Sequence, residues 1–181
     1  PPKGEGPDPK EPEKIEITIE NAAQLARQGN REASRFIEKK MENILVEFYS
    51  DFYDQNKRSP TLDEHRKAVG ELCEKSGITK AEYIIINNIN TVNDYREQTL
   101  REDKSTGKIS NTDFVFAQMA SMFAGFAETD NPFHPMLLAQ LGMNKNQLRD
   151  FVSEIIAYAS ILPKGVVAAD YLEKLRIGYN L

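Results

Sequence analysis

Four helix-start signals divide this sequence and constrain its fold more than any other feature. Three of them place Glu or Gln three residues after a polar capping residue, and these begin at Thr61, Thr79 and Asn144. The fourth signal is Asn111 or Thr112, which directly precedes a long apolar run. In a capping box, the two side chains bond to backbone N–H groups that the first turn of a helix leaves unpaired. The signals therefore favour an all-α protein.

Apolar residues recur at spacings of three and four between these signals, as they do along one face of a helix. The pattern predicts a single-domain bundle of about seven helices, or eight when every short one is counted. The expected ranges are 21–28, 31–56, 61–76, 79–100, 111–127, a short helix ending at 141, 144–161 and 166–177. The polar stretch 102–110 is predicted to be a loop. Residues 112–127 are apolar on nearly every side, which indicates a helix at the bundle centre or one covered by a partner.

The long helix predicted for 31–56 has one apolar face, which we expect to pack in the core. The residues expected to face the core are Ile37, Met41, Ile44, Leu45, Phe48 and Phe52. An aromatic cluster lies in the second half of this helix and consists of Phe48, Tyr49, Phe52 and Tyr53. Because aromatic side chains at helical spacing usually fill a core, we interpret the cluster as core rather than as a ligand pocket.

The N-terminal residues differ sharply from the rest of the chain. Residues 1–14 hold five of the nine prolines and no apolar side chain of any size, which predicts an extended arm. Isoleucine then alternates with polar residues at Ile15, Ile17 and Ile19, the pattern of a half-buried strand. A lone strand leaves its backbone groups unpaired, so it either straps its own helices or docks on another chain. We expect an arm over 1–20 and a helical domain over 21–181, with the three isoleucines contacting a partner.

The side chains that catalysis most often uses are scarce in this sequence. His65 and Cys73 lie eight residues apart on one predicted helix, about 12 Å along its axis, so they cannot share a hydrogen bond. His134 stands four residues after Asp130 in a proline-rich corner, where an anchoring role is more typical than catalysis or metal binding. We therefore predict a protein that is not an enzyme and that has no cofactor and no metal site.

Residues 61–90 have the cadence of a helix-turn-helix, with Gly77 in the turn. The basic residues that would contact nucleic acid there are Lys57, Arg58, Arg66, Lys67 and Lys80. The second helix, however, presents Ile84 and Ile85 where a reader of base edges needs polar side chains. The net charge of −5 also disfavours a surface designed to neutralise phosphates. Nucleic-acid binding, by this motif or as a helical nucleoprotein or coat subunit, remains the alternative function.

Composition further limits the class of protein and the compartment that suits it. The longest uncharged apolar stretch, 114–127, has 14 residues, whereas a membrane span needs roughly 20, so we expect a soluble protein without a span. The single cysteine excludes a disulfide framework and favours a reducing compartment. The arm and the surplus of apolar helix faces together predict an assembly subunit of a filament, coat or multi-protein machine. Its expected partners are copies of itself or other subunits.

Overall fold

The computed structural model describes the backbone of Gly4, Gly6 and residues 11–105 and 112–181, and side chains up to residue 98 and from residue 112. Those residues form eight helices and no strand, which confirms the all-α prediction. The helices are α1 (Ala22–Arg27), α2 (Arg31–Asn56), α3 (Leu62–Ser76), α4 (Lys80–Ser105), α5 (Thr112–Ala127), α6 (Pro135–Leu141), α7 (Lys145–Ser160) and α8 (Ala169–Tyr179).

The predicted capping boxes explain where the helices begin. At α3, the Thr61 hydroxyl accepts from the Glu64 N–H and the Glu64 carboxylate accepts from the Thr61 N–H. The same reciprocal pair joins Asn144 to Gln147 at the start of α7. At α4, the Thr79 hydroxyl accepts from the Glu82 N–H, and the Glu82 carboxylate accepts from the Thr79 N–H. Each box satisfies backbone donors that would otherwise have no partner.

Two predicted boundaries are wrong. Helix α4 continues to Ser105, although 102–105 were assigned to a loop, because Arg101, Glu102 and Lys104 are good helix formers at the end of an established helix. The rest of the predicted loop, 106–110, lies outside the described residues. Helix α8 begins at 169 rather than 166, since Gly165 has a φ of +92° and the Val166 N–H bonds back to the Pro163 carbonyl in a tight turn.

The helices form two groups joined by a shared core. Helices α1, α2 and α3 pack together on one side, while α5, α7 and α8 pack together on the other. Between the groups, α4 contacts α2, α3, α5 and α6. Its buried isoleucines, Ile85, Ile86 and Ile89, contribute to one continuous hydrophobic cluster. Helix α5 lies against α4, α7 and α8, as its apolar composition predicted.

A buried polar cluster connects α1, α2, α4 and α6. The Gln140 amide donates to the Ala26 and Asn30 carbonyls at 2.9 and 3.1 Å, and its oxygen accepts from the Ser34 hydroxyl. The Ser34 hydroxyl also lies 2.8 Å from the Asn90 side-chain oxygen. These bonds fix α1 against the rest of the bundle, because a buried polar group that lost its partner would be costly.

The described part of the N-terminal segment contains neither helix nor strand. Asn21 turns the chain: its side-chain oxygen accepts from the Thr18 N–H at 2.7 Å and its amide donates to the Glu16 carbonyl at 2.8 Å. Because of this turn, Ile17 packs against the core while Ile15 and Ile19 are each 60% exposed. The part of the predicted arm over 1–3, 5 and 7–10 lies outside the described residues.

Candidate protein-docking surface

The three residues considered for catalysis, His65, Cys73 and His134, lie in separate environments. The Tyr49 hydroxyl lies 2.6 Å from Nδ1 of His65, on the exposed side of α3. Cys73 is buried on the same helix, and burial raises the pKa of its thiol. His134 is the N-cap of α6, where its Nδ1 accepts from the Met136 N–H at 3.0 Å. The structure does not bring these three side chains together.

The described residues contain neither a cluster of metal-ligating side chains nor a membrane-spanning helix. In that part of the chain, no three His, Cys, Asp or Glu side chains come close enough together to hold a metal ion. None of the helices described is both long and apolar enough to pass through a membrane.

The predicted nucleic-acid residues divide into two sets. Arg58 donates to Glu64 at 2.8 Å and, with the Thr61 N–H, holds the pKa of Glu64 at about 2. Its guanidinium also lies 5.0 Å from the centre of the Phe52 ring. Arg58 is thus engaged in joining the end of α2 to the start of α3. Lys57, the C-cap of α2, is exposed in the left-handed conformation.

The other three basic residues line one shallow depression. Arg66 and Lys67 of α3 meet Lys80 of α4 around Gly70, whose missing side chain leaves the space open. Two carboxylates, Glu71 and Glu74, line the same depression. The lining therefore carries a net charge of only +1.

An apolar groove with a volume of about 350 Å³ lies between α2 and α3. We call it the α2–α3 groove and define it by these lining residues: Ile19, Ala22, Ala23, Phe36, Ile37, Lys40, Met41, Ile44, Leu45, Phe48, Ala68, Glu71, Leu72, Lys75 and Ser76. Eleven of those fifteen are apolar. The alanines at 22, 23 and 68 provide the space, because a larger side chain at these positions would fill it.

The second half of α2 exposes apolar side chains that the sequence assigned to the core. The buried residues of this helix are Ala33, Ser34, Ile37 and Met41, all in its first three turns. Ile44, predicted to face the core, is 39% exposed, and Val46 is 64% exposed. The core assignment of the aromatic cluster is likewise wrong for Tyr49 and Tyr53, which are exposed.

The helices that cover α2 explain this exposure. The bonds to α4 come from the first turns of α2, at Arg31, Ser34 and Arg35, whereas the contact of Tyr49 with His65 places α3 beside the second half. One neighbouring helix cannot cover both sides of α2. The signal was present in the sequence as Ile44-Leu45-Val46, three consecutive apolar residues that cannot share one helix face.

Of the isoleucines predicted to contact a partner, the structure places only Ile19 at the α2–α3 groove. Ile17 packs against the core of its own chain, and Ile15 is exposed in the segment that precedes the groove. A search of known protein families, characterised proteins and solved structures finds no significant match to this chain.

Proposed function

We propose that this protein is a non-enzymatic assembly subunit that docks on neighbouring protein chains through its N-terminal segment and its exposed apolar helix faces. The α2–α3 groove is the observation that carries the proposal. It combines an open apolar lining with two lysines at its edge, and its surroundings on α2 are also apolar and exposed.

The free energy available from this surface is large enough for specific association. Burying an isoleucine or similar side chain fully contributes about 1.5 to 3 kcal/mol. Ile19 and Ile44, which both line the groove, retain enough exposed area to make their burial by a partner favourable. A contiguous exposed apolar patch of this kind marks an interaction site more often than a monomer surface.

Apolar side chains are also exposed on the other helix group. They are Ile161 and Val166 at the turn between α7 and α8, and Ile177 and Leu181 at the opposite end of α8. Exposed apolar positions on both helix groups support contact with more than one neighbour. Such heterologous contacts build rings or open filaments rather than closed pairs, which suits a filament, coat or multi-protein machine.

Nucleic-acid binding is the second candidate function. The clustering of Arg66, Lys67 and Lys80 around one depression favours it, because grouped cations attract a phosphate backbone. Against it, Glu71 and Glu74 share the depression, and the isoleucines of α4 are in the core instead of facing a groove of DNA. We therefore rank it below protein assembly.

Sedimentation of the purified full chain over a wide concentration range tests the proposed function. We expect a mass above the monomer's 20.5 kDa that rises with concentration. A strictly monomeric chain at every concentration would count against assembly with itself. Adding a fluorescent single-stranded oligonucleotide at low and high salt tests the second candidate: salt-sensitive binding that Arg66→Glu and Lys67→Glu weaken would favour nucleic acid.

A further inference from the structure

We propose that the α2–α3 groove of one copy receives Ile15 and its flanking residues from the N-terminal segment of a second copy. This inference rests on the proposed assembly function and names the two surfaces that meet.

The segment is available for such a contact. Residues 11–16 are exposed along their whole length, and Ile15 is the first large apolar side chain of the sequence. The Asn21 turn and the packing of Ile17 anchor the chain directly after it. Ile15 lies two residues before Ile17, so an extended chain lets it project roughly 7 Å from its own core toward a neighbouring molecule.

The groove has the dimensions and chemistry that an isoleucine-containing strand needs. Its three alanines leave room for a branched aliphatic side chain, and Ile44 and Leu72 offer apolar contacts on its two sides. It is only partly enclosed, so an extended chain can enter it from solvent. An extended peptide in an apolar groove gains specificity from such side-chain pockets.

The charges of the two surfaces are complementary. Residues 11–20 contain four glutamates and one lysine, a net charge of −3. The charged residues of the groove are Lys40, Lys75 and Glu71, a net charge of +1. Opposite charges at the edge of an interface favour the correct pairing and raise the association rate.

The segment of the same copy is a poorer occupant. In the single chain, Ile15 is 60% exposed and does not line the groove, although Ile19 does. The hydrogen bonds of Asn21 to Glu16 and Thr18 fix the chain just before the groove. For Ile15 to fold back into its own groove, this turn would have to open.

A mixing experiment with two single variants tests the proposal. Ile15→Asp removes the segment's anchor, and Ile44→Asp places a charge in the groove at a residue exposed enough to leave the fold intact. We expect each variant alone to associate at least tenfold more weakly than the unmodified chain, measured by sedimentation. An equimolar mixture should form a one-to-one complex, because it contains one intact segment and one intact groove. Val46→Asp, on α2 but outside the groove lining, is the matched control and should associate like the unmodified chain.

Other outcomes overturn the proposal in distinguishable ways. If Ile15→Asp associates normally, the segment is not the occupant, while assembly through another surface still stands. If Ile15→Asp instead lowers the melting temperature of a monomer by several degrees, the segment binds within its own chain. A monomeric unmodified chain would contradict this inference and any assembly of the chain with itself, whereas docking on a different subunit would still stand. Lys75→Glu is a second groove variant at an exposed position, and it should weaken association if the charges pair as inferred.

Discussion

Replacing Gln140 with leucine tests the buried polar cluster that holds α1 in place. The change keeps the side-chain volume similar but removes two donated hydrogen bonds, to Ala26 and Asn30, and one accepted from Ser34. A buried hydrogen bond contributes about 1 kcal/mol when its former partner keeps another bond. The Ala26 carbonyl keeps the Gly29 N–H, and the Ser34 hydroxyl keeps the Arg31 carbonyl.

Because the single Ser34 proton can turn to the Arg31 carbonyl, the loss falls on the two bonds that the amide donates, about 2 kcal/mol together. We therefore expect Gln140→Leu to lower the free energy of unfolding by about 2 kcal/mol, or the melting temperature by about 4 to 8 °C for a chain of this size. Because α1 supplies Ala22 and Ala23 to the α2–α3 groove, the groove should change shape as well.

Urea unfolding followed by far-ultraviolet circular dichroism measures this difference. The matched control is Gln24→Leu, the same substitution at an exposed position of α1, which should change stability by less than about 0.5 kcal/mol. If the two variants are equally stable, the cluster does not hold α1, and the reasoning is refuted.

Three other substitutions test the packing and electrostatics. Burial works against the Glu82 charge, but Arg27 and a backbone N–H outweigh it and hold the pKa of Glu82 below its usual value. This stabilisation is present above about pH 4.3 and is lost as the pH falls through the lower folded pKa, so Glu82→Gln should flatten the acid limb of a stability profile. Gly178→Ala should destabilise by about 1 to 3 kcal/mol in thermal melts, since the new methyl group would lie 2.8 Å from a side chain of α5, whereas Gly125→Ala meets open space and should be neutral or stabilising. Tyr179→Phe should melt no lower than the unmodified chain, because the buried hydroxyl has no hydrogen-bond partner among the described residues.

The sequence was most informative where local chemistry decides the structure. The capping residues at Thr61, Thr79 and Asn144 act on the N–H groups of their own first turns, so they mark helix starts regardless of the tertiary fold. The end of α4 was missed because ordinary propensity is a weak guide to where an established helix stops.

The groove and the polar cluster could not be predicted because they depend on relative placement. Ser34, Asn90 and Gln140 are unremarkable polar residues in the sequence, and only the packing of α1, α2, α4 and α6 makes them partners. The exposure of Ile44 likewise depends on packing, because α4 bonds to the first turns of α2 and leaves α3 beside the second half. A helical pattern predicts which residues share a face but not whether a neighbour covers it.

The alternation of Ile15, Ile17 and Ile19 was misleading for a different reason. A period of two predicts one common face only while the chain stays extended. The Asn21 side chain turns the chain over Glu16 to Thr18, which separates the partly buried Ile17 from its exposed neighbours. A role of Ile15 and Ile19 in binding a partner remains a prediction.

The central claim, assembly through the N-terminal segment, is tested most directly by the molar mass of the chain with and without residues 1–15, measured by light scattering at matched concentrations. This truncation removes Ile15 but keeps Ile17 and the turn that Asn21 stabilises, so the helical domain retains its own contacts. We predict that the full chain has a mass above 20.5 kDa and that the truncated chain has the mass of its monomer. If both chains form assemblies of equal size, or both are monomers, the claim is contradicted.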